Sequence, residues 1–142
     1  MELYYPGAAY VDILAIDGYN WGSVRPYIGW QSFTEIMDLA YDRITALGSQ
    51  PLWVAETAST EHGGDKGAWV QNMFADSARY DRLEAIVWFD ENKETDWRIE
   101  SSVASAEAFR EWFEWRAADT SPDTGSDQAA APRAEVVLLT HR

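Results

Sequence analysis

Three places in this 142-residue sequence gather acid, base or ring-stacking side chains at the ends of short apolar runs. The first is Asp17-Gly18-Tyr19-Asn20-Trp21-Gly22, which follows Val11 to Ile16. The second is Glu56-Thr57, with Glu61 and His62 close behind, after Leu52 to Ala55. The third is Trp88 and Asp90, with Asp96-Trp97-Arg98 further on, around the run Glu84 to Phe89. Carboxylates and indoles dominate the set. Paired carboxylates beside aromatic platforms suit cleavage of glycosidic bonds, because an oxocarbenium-like transition state needs a proton on the leaving oxygen and a negative group beneath the ring. No serine, histidine and aspartate constellation and no Gly-rich phosphate loop competes with that chemistry. His62 and His141 are the two histidines, too few and too far apart for a zinc site, so neither a metal nor another cofactor is expected. Spacing alone leaves each residue a structural alternative. Glu56 could be a cap or ion-pair partner, Trp88 a core residue, and His62 a surface loop residue.

Composition narrows the partners. With 24 acidic against 11 basic residues and no Lys/Arg cluster, the chain repels phosphate backbones and anionic lipid, so nucleic acid and membrane are not expected partners. The absence of cysteine excludes disulfides, thiolate metal sites and a cysteine nucleophile. No apolar run approaches the roughly 20 residues that span a bilayer, and the opening Met1 to Gly7 lacks the basic and apolar regions of a signal peptide. The 8 Trp, 7 Tyr and 5 Phe are more aromatic rings than a core of this size calls for, and a carbohydrate cleft, where pyranose faces lie on indoles, accounts for the surplus.

The elements that must position these groups follow from hydrophobic periodicity. Val11 to Ile16, Leu52 to Ala55 and Glu84 to Phe89 read as short buried strands. Ser32 to Leu47 reads as a helix opened by a Ser32/Glu35 capping box, with Phe33, Ile36, Met37, Ala40, Tyr41, Ile44 and Leu47 on one face and Gly48 and Pro51 beyond its end. Lys66 to Arg79 reads as a second helix, with Trp69, Val70, Met73 and Phe74 inward. A third runs from about Ala104 to Arg116, with Phe109, Trp112 and Phe113 inward. Short, wholly apolar strands alternating with helices indicate an α/β protein with parallel pairing, built from three βα units. In such folds the strand C-termini converge on one face, where ligands bind. The boundary falls near residue 116: residues 117–142 read as a disordered linker or tail, with the closing Ala134 to Arg142 either a lone strand or a ragged end.

Taken together the residues resemble a known family. Tyr5-Pro6-Gly7, Tyr10-Val11-Asp12, Ile16 to Gly22, Trp30-Gln31-Ser32-Phe33, Ala55-Glu56-Thr57, Gly63-Gly64-Asp65-Lys66, Trp69, Val87-Trp88-Phe89 and Asp96-Trp97-Arg98 resemble, in the family's order and over about residues 4–112, the C-terminal half of glycoside hydrolase family 26, the β-mannanase family. Ala8 and Ala9 depart from the aspartates common after that Pro-Gly. The resemblance implies the sixth to eighth units of a (β/α)₈ barrel and a retaining mechanism. It implies that Glu56 is the nucleophile, that Tyr19 orients it, and that Trp88 is the platform under the sugar. Asn20, Trp21, Trp97 and Asp17 would line the cleft. It further implies a β-linked polysaccharide such as mannan as substrate and an extracellular parent enzyme. The acid/base, on the family's fourth strand, has no counterpart in these residues, so the chain alone is expected to be inactive unless the missing N-terminal half of the barrel joins it. Two alternatives stand beside this one: a carbohydrate-binding fragment that does not cut, and a remnant without function.

Overall fold

The computed structural model describes residues 2–119 and 134–139. It is an α/β fold in the order β1 (Leu14–Asn20), α1 (Phe33–Thr45), β2 (Leu52–Ser59), α2 (Lys66–Ser77), β3 (Leu83–Phe89), α3 (Val103–Asp119) and β4 (Glu135–Leu139), with short 3-10 turns at Glu2–Tyr4, Ala8–Tyr10 and Ile99–Ser101. All the strands are parallel and lie in the sheet in sequence order, β1-β2-β3-β4. Each crossover therefore steps to the next strand without reversing direction, and α1, α2 and α3 pack side by side in the same order. Among the described residues no helix is long and apolar enough to cross a membrane.

Helix α1 begins where the sequence says it must. Ser32 Oγ accepts from Glu35 N and the Glu35 carboxylate accepts from Ser32 N, so both halves of the capping box are formed. Asp65 caps α2 in the same way by accepting from Ala68 N. The helices bury Phe33, Met37 and Ile44 from α1 and Trp69, Val70, Met73 and Phe74 from α2 against Leu14, Ile16, Leu52, Val54 and Ile86 of the sheet. On α3 the inward residues are Ser105, Ala108, Phe109 and Trp112, and Trp112 lies stacked on Phe74 at 4.4 Å. Phe113, expected to face inward, is 42% exposed, because the face that meets α2 is set by the 105, 108, 109, 112 spacing and leaves position 113 turned away.

Two strands run further than their apolar residues suggest. β1 continues through Asp17 to Asn20 and β2 through Glu56 to Ser59, and these polar stretches pair with each other: Asp17 with Glu56, Gly18 with Thr57, Tyr19 with Ala58 and Asn20 with Ser59. Their side chains alternate like any strand's, with Gly18 turned to the helices. A Cβ on Gly18 would come within 2.4 Å of Ile36 Cγ2, so only glycine lets α1 pack this closely. In β2 the register slips at Ala55, with Ile16 opposite Val54 but Asp17 opposite Glu56. This bulge shifts the alternation by one residue, which brings Glu56 to the face away from the helices.

The C-terminal segment joins the sheet. Glu135 to Leu139 pairs in parallel with Ala85 to Phe89, so β4 covers the edge of β3. Helix α3 runs to Asp119, three residues past the expected boundary. Most of the segment expected to be a disordered tail, residues 120–133 and 140–142 and with them His141, lies outside the described residues.

Candidate active site

The C-terminal ends of β1, β2 and β3 surround a cleft of about 410 Å³ lined by Tyr19, Trp21, Arg25, Glu56, Phe89, Lys93, Glu94 and Trp97. All three strand ends contribute, as the parallel topology requires. At its base the Tyr19 hydroxyl donates to Glu56 Oε2 at 2.6 Å, across neighbouring strands. Burial, reinforced by the carboxylate of Glu56, pushes the Tyr19 hydroxyl well above the usual phenol range, so it stays a proton donor at every physiological pH. Asp17 is the register partner of Glu56, and burial together with the charge of Glu56 raises its carboxyl above the ordinary aspartate range. Two carboxylates and a phenol thus share the end of one strand pair.

The aromatic walls support one another through edge-to-face and tilted contacts. Trp97 meets Trp21 at 4.9 Å and 86° and Tyr19 at 5.1 Å, and Phe89 meets Tyr19 at 6.0 Å and 82°. Trp97 is 1% exposed, so it forms a fixed wall.

Of the residues expected to line the cleft, Asp17 is exposed beside Glu56 and outside the lining, and two others lie behind it. Trp88 is fully buried, packed on Trp69 and Phe109 from α2 and α3, and its Nε1 donates to Trp97 O at 3.0 Å. A sugar platform needs an open ring face. Trp88 instead holds the backbone of the residue that forms the wall. Asn20 is likewise fully buried. Its Nδ2 donates to Ser59 Oγ at 2.9 Å, and its Oδ1 accepts from Gln31 N at 3.0 Å and Gly22 N at 3.3 Å, so it ties the end of β1 to β2 and to the following loop. Asp90, Asp96 and Glu61 are likewise engaged in the frame. Asp90 accepts from Ile99 N, Asp96 pairs with Arg98 and is held below the usual carboxylate range by that guanidinium, and Glu61 accepts from Ser101 Oγ. His62 is exposed, and its carbonyl accepts from Ser23 N.

Sequence reasoning missed two residues that matter here. Lys66 reads in sequence as the start of a helix and the end of the Gly63-Gly64-Asp65-Lys66 run, without a role of its own, yet its side chain is fully buried. Its Nζ donates to Arg98 O and Ser101 Oγ at 2.7 Å each and to Asp96 O at 3.4 Å, matching an ammonium's three donors with three acceptors on the loop that carries Trp97. Burial pulls its pKa down to about 8, with Glu61 and Asp96 resisting the shift. The signal available beforehand was a charged residue inside an otherwise inward-facing helical pattern. Arg25 was the second, a cation on the cleft wall of an acidic chain. Among the described residues no group of three or more His, Asp and Glu side chains is arranged to hold a metal ion.

No family model matches the sequence. Over 111 residues, 76% of the chain, the sequence is 45% identical to a segment of Endoglucanase H from Acetivibrio thermocellus. The matched stretch amounts to 12% of that protein's length, so the chain is similar to one part of a much longer protein.

Proposed function

We propose that the chain is part of a retaining glycoside hydrolase that cuts β-linked polysaccharide, with Glu56 as its nucleophile. The observation that carries this reading is the Tyr19 to Glu56 hydrogen bond at the base of an aromatic-walled cleft. Tyr19 holds one carboxylate oxygen and leaves the other to attack the anomeric carbon. Asp17 beside it adds negative potential where an oxocarbenium-like charge develops. Trp21 and Phe89, each partly exposed at the cleft, supply the apolar faces that a pyranose needs, with Trp97 fixed behind them.

Similarity to a protein named an endoglucanase supports hydrolysis of glucan and ranks β-glucan ahead of mannan as the substrate. The resemblance of the residue runs to glycoside hydrolase family 26 supports β1, β2 and β3 as the sixth to eighth strands of a (β/α)₈ barrel, and the strictly sequential parallel order fits that architecture. In this reading the acid/base comes from residues outside this sequence and must come within about 5 Å of Glu56. The N-terminal part of the barrel would continue the sheet from the open edge of β1. Closing the ring beside β3 would require β4 to give way. A polymeric substrate argues for an extracellular parent enzyme.

A 2-deoxy-2-fluoro β-cellobiosyl fluoride tests the nucleophile directly, because fluoride leaves without needing a proton. The Glu56 carboxylate forms a bond to C1, the C1–F bond breaks, and the deactivated glycosyl ester accumulates. Mass spectrometry of the full chain should find the adduct on the peptide containing Glu56, and none in Glu56→Gln. A label on another carboxylate overturns the assignment. Binding of the sugar without any label would make this a non-cutting carbohydrate-binding chain.

A further inference from the structure

Arg25 lines the cleft, and the reading above gives it no role. Its guanidinium carbon lies 3.4 Å from the centroid of the Trp21 ring, close enough that the two flat groups are stacked face to face. Its side chain has no hydrogen bond and no ion pair among the described residues, in a chain with 24 acidic residues to choose from. Lys93, the other cation on the cleft wall, is engaged by Glu94 at 3.5 Å.

The loop that presents Arg25 is built rather than loose. Gly22 and Gly29 form an antiparallel bridge that closes it, Val24 N donates to Trp21 O, and Ile28 N and Gly29 N both donate to Arg25 O. Ser23 N donates to His62 O and so anchors the loop to the end of β2. Gly22 has φ +49, and a Cβ there would sit 1.9 Å from His62 O, so the anchor depends on glycine. Trp21, held edge-on by Trp97, fixes one face of the guanidinium. The N–H donors lie in the guanidinium plane and radiate sideways from the stack, while the stack itself holds that plane in place.

We propose that the Trp21 and Arg25 stack is a sugar-recognition subsite on the wall of the Glu56 cleft, in which the guanidinium donates paired hydrogen bonds to adjacent hydroxyls of a neutral β-linked glycan. The inference rests on the glycan reading above and adds a specificity residue to it. Neutral ligands fit better than uronates because Glu56 and Glu94 line the same cleft and would repel a carboxylate. A preorganised guanidinium loses little freedom when it binds, so its hydrogen bonds count more fully toward affinity than those of a free lysine would.

The test is calorimetric titration of the full chain with a β-1,4-glucan tetrasaccharide and, separately, with a glucuronate-bearing xylo-oligosaccharide. Arg25→Met should weaken the neutral tetrasaccharide by about tenfold or more, the loss of charge-assisted hydrogen bonds. Arg25→Lys should lose nearly as much although it keeps the charge, because an ammonium does not offer paired in-plane donors. Near-UV circular dichroism of both variants reports whether Trp21 and Trp97 keep their packing, and Arg25→Lys carries the test where Arg25→Met disturbs it. Unchanged affinity in Arg25→Met, full affinity in Arg25→Lys, or preference for the uronate would each overturn the subsite. A wild-type chain that binds neither sugar overturns both this inference and the glycan reading. A wild-type chain that binds the tetrasaccharide with no dependence on Arg25 overturns the inference alone.

Discussion

The core under the helices and the strand ends around the cleft are held by different physics. The face under the helices is a dry, close-packed core: Ile86, Val54, Leu52, Phe33, Met73 and Val70 are almost fully buried, and aromatic rings meet edge to face across α1, α2 and α3. The strand ends around the cleft are held by polar groups that are just as buried, namely Asn20, Ser59, Thr60 and Lys66, whose hydrogen bonds tie β1 to β2 and hold the loops beyond them. A core filled by area tolerates approximate fit, whereas a rim held by directional bonds fixes positions to within the reach of one hydrogen bond. The difference suits a scaffold on one side and a site on the other.

Substitutions can break this contrast, beginning with the largest expected effect. Trp88→Ala removes the indole on which Trp69 and Phe109 pack and orphans Trp97 O, so urea denaturation should read a loss of about 3–5 kcal/mol, enough to leave much of the chain unfolded. Asn20→Ala leaves Gln31 N, Gly22 N and Ser59 Oγ without their partner. It should cost about 1–3 kcal/mol and show itself first as a change in the near-UV spectrum of Trp21, ahead of any loss of helix.

Lys66 separates the two kinds of stabilisation by pH. Its pKa is about 8 in the fold and near its ordinary 10.5 when unfolded. Between those values the unfolded chain binds more protons, so raising the pH favours the folded state. Wild type should gain on the order of 1 kcal/mol per pH unit relative to Lys66→Met between pH 8 and 9.5, measured as the difference in urea midpoints. A difference that stays constant across that window would mean that the ammonium is not desolvated as its surroundings imply. The smallest change in stability is expected for Tyr19→Phe, under about 1 kcal/mol, because the ring contacts to Trp97 and Phe89 remain. Its effect should fall on chemistry instead, slowing fluoroglycoside labelling of Glu56 by roughly a hundredfold if the hydroxyl orients the nucleophile.

The helix-covered face was the more legible in sequence, for a physical reason. Periodicity reports burial, and Ser32, Glu35, Trp69 and Met73 announce their helices through capping and spacing alone. The cleft side was legible in its residue types but not in their facing. Asp17 to Asn20 read as the polar cluster that follows a strand and are in fact strand, since backbone pairing with Glu56 to Ser59 is indifferent to side-chain polarity. The bulge at Ala55, which decides where Glu56 points, leaves no mark on composition. Trp88 and Trp97 are chemically the same residue, and only the packing of α2 and α3 makes one an internal strut and the other a wall. Lys66 and Arg25 went unread because pattern treats a cation as surface, whereas a lysine can stay buried when three acceptors meet it.

The sequential order of the strands also has a consequence for how the chain folds. Each strand adds to the edge left by the strand before it, so on a ribosome the sheet can assemble in the order in which it is synthesised, with every new strand meeting a template already in place. Contacts between neighbouring units span one crossover at a time, which keeps loop-closure entropy low for a parallel sheet. Of these four strands β4 is the last to be synthesised, and until it docks the edge of β3 is exposed to the nascent chains around it.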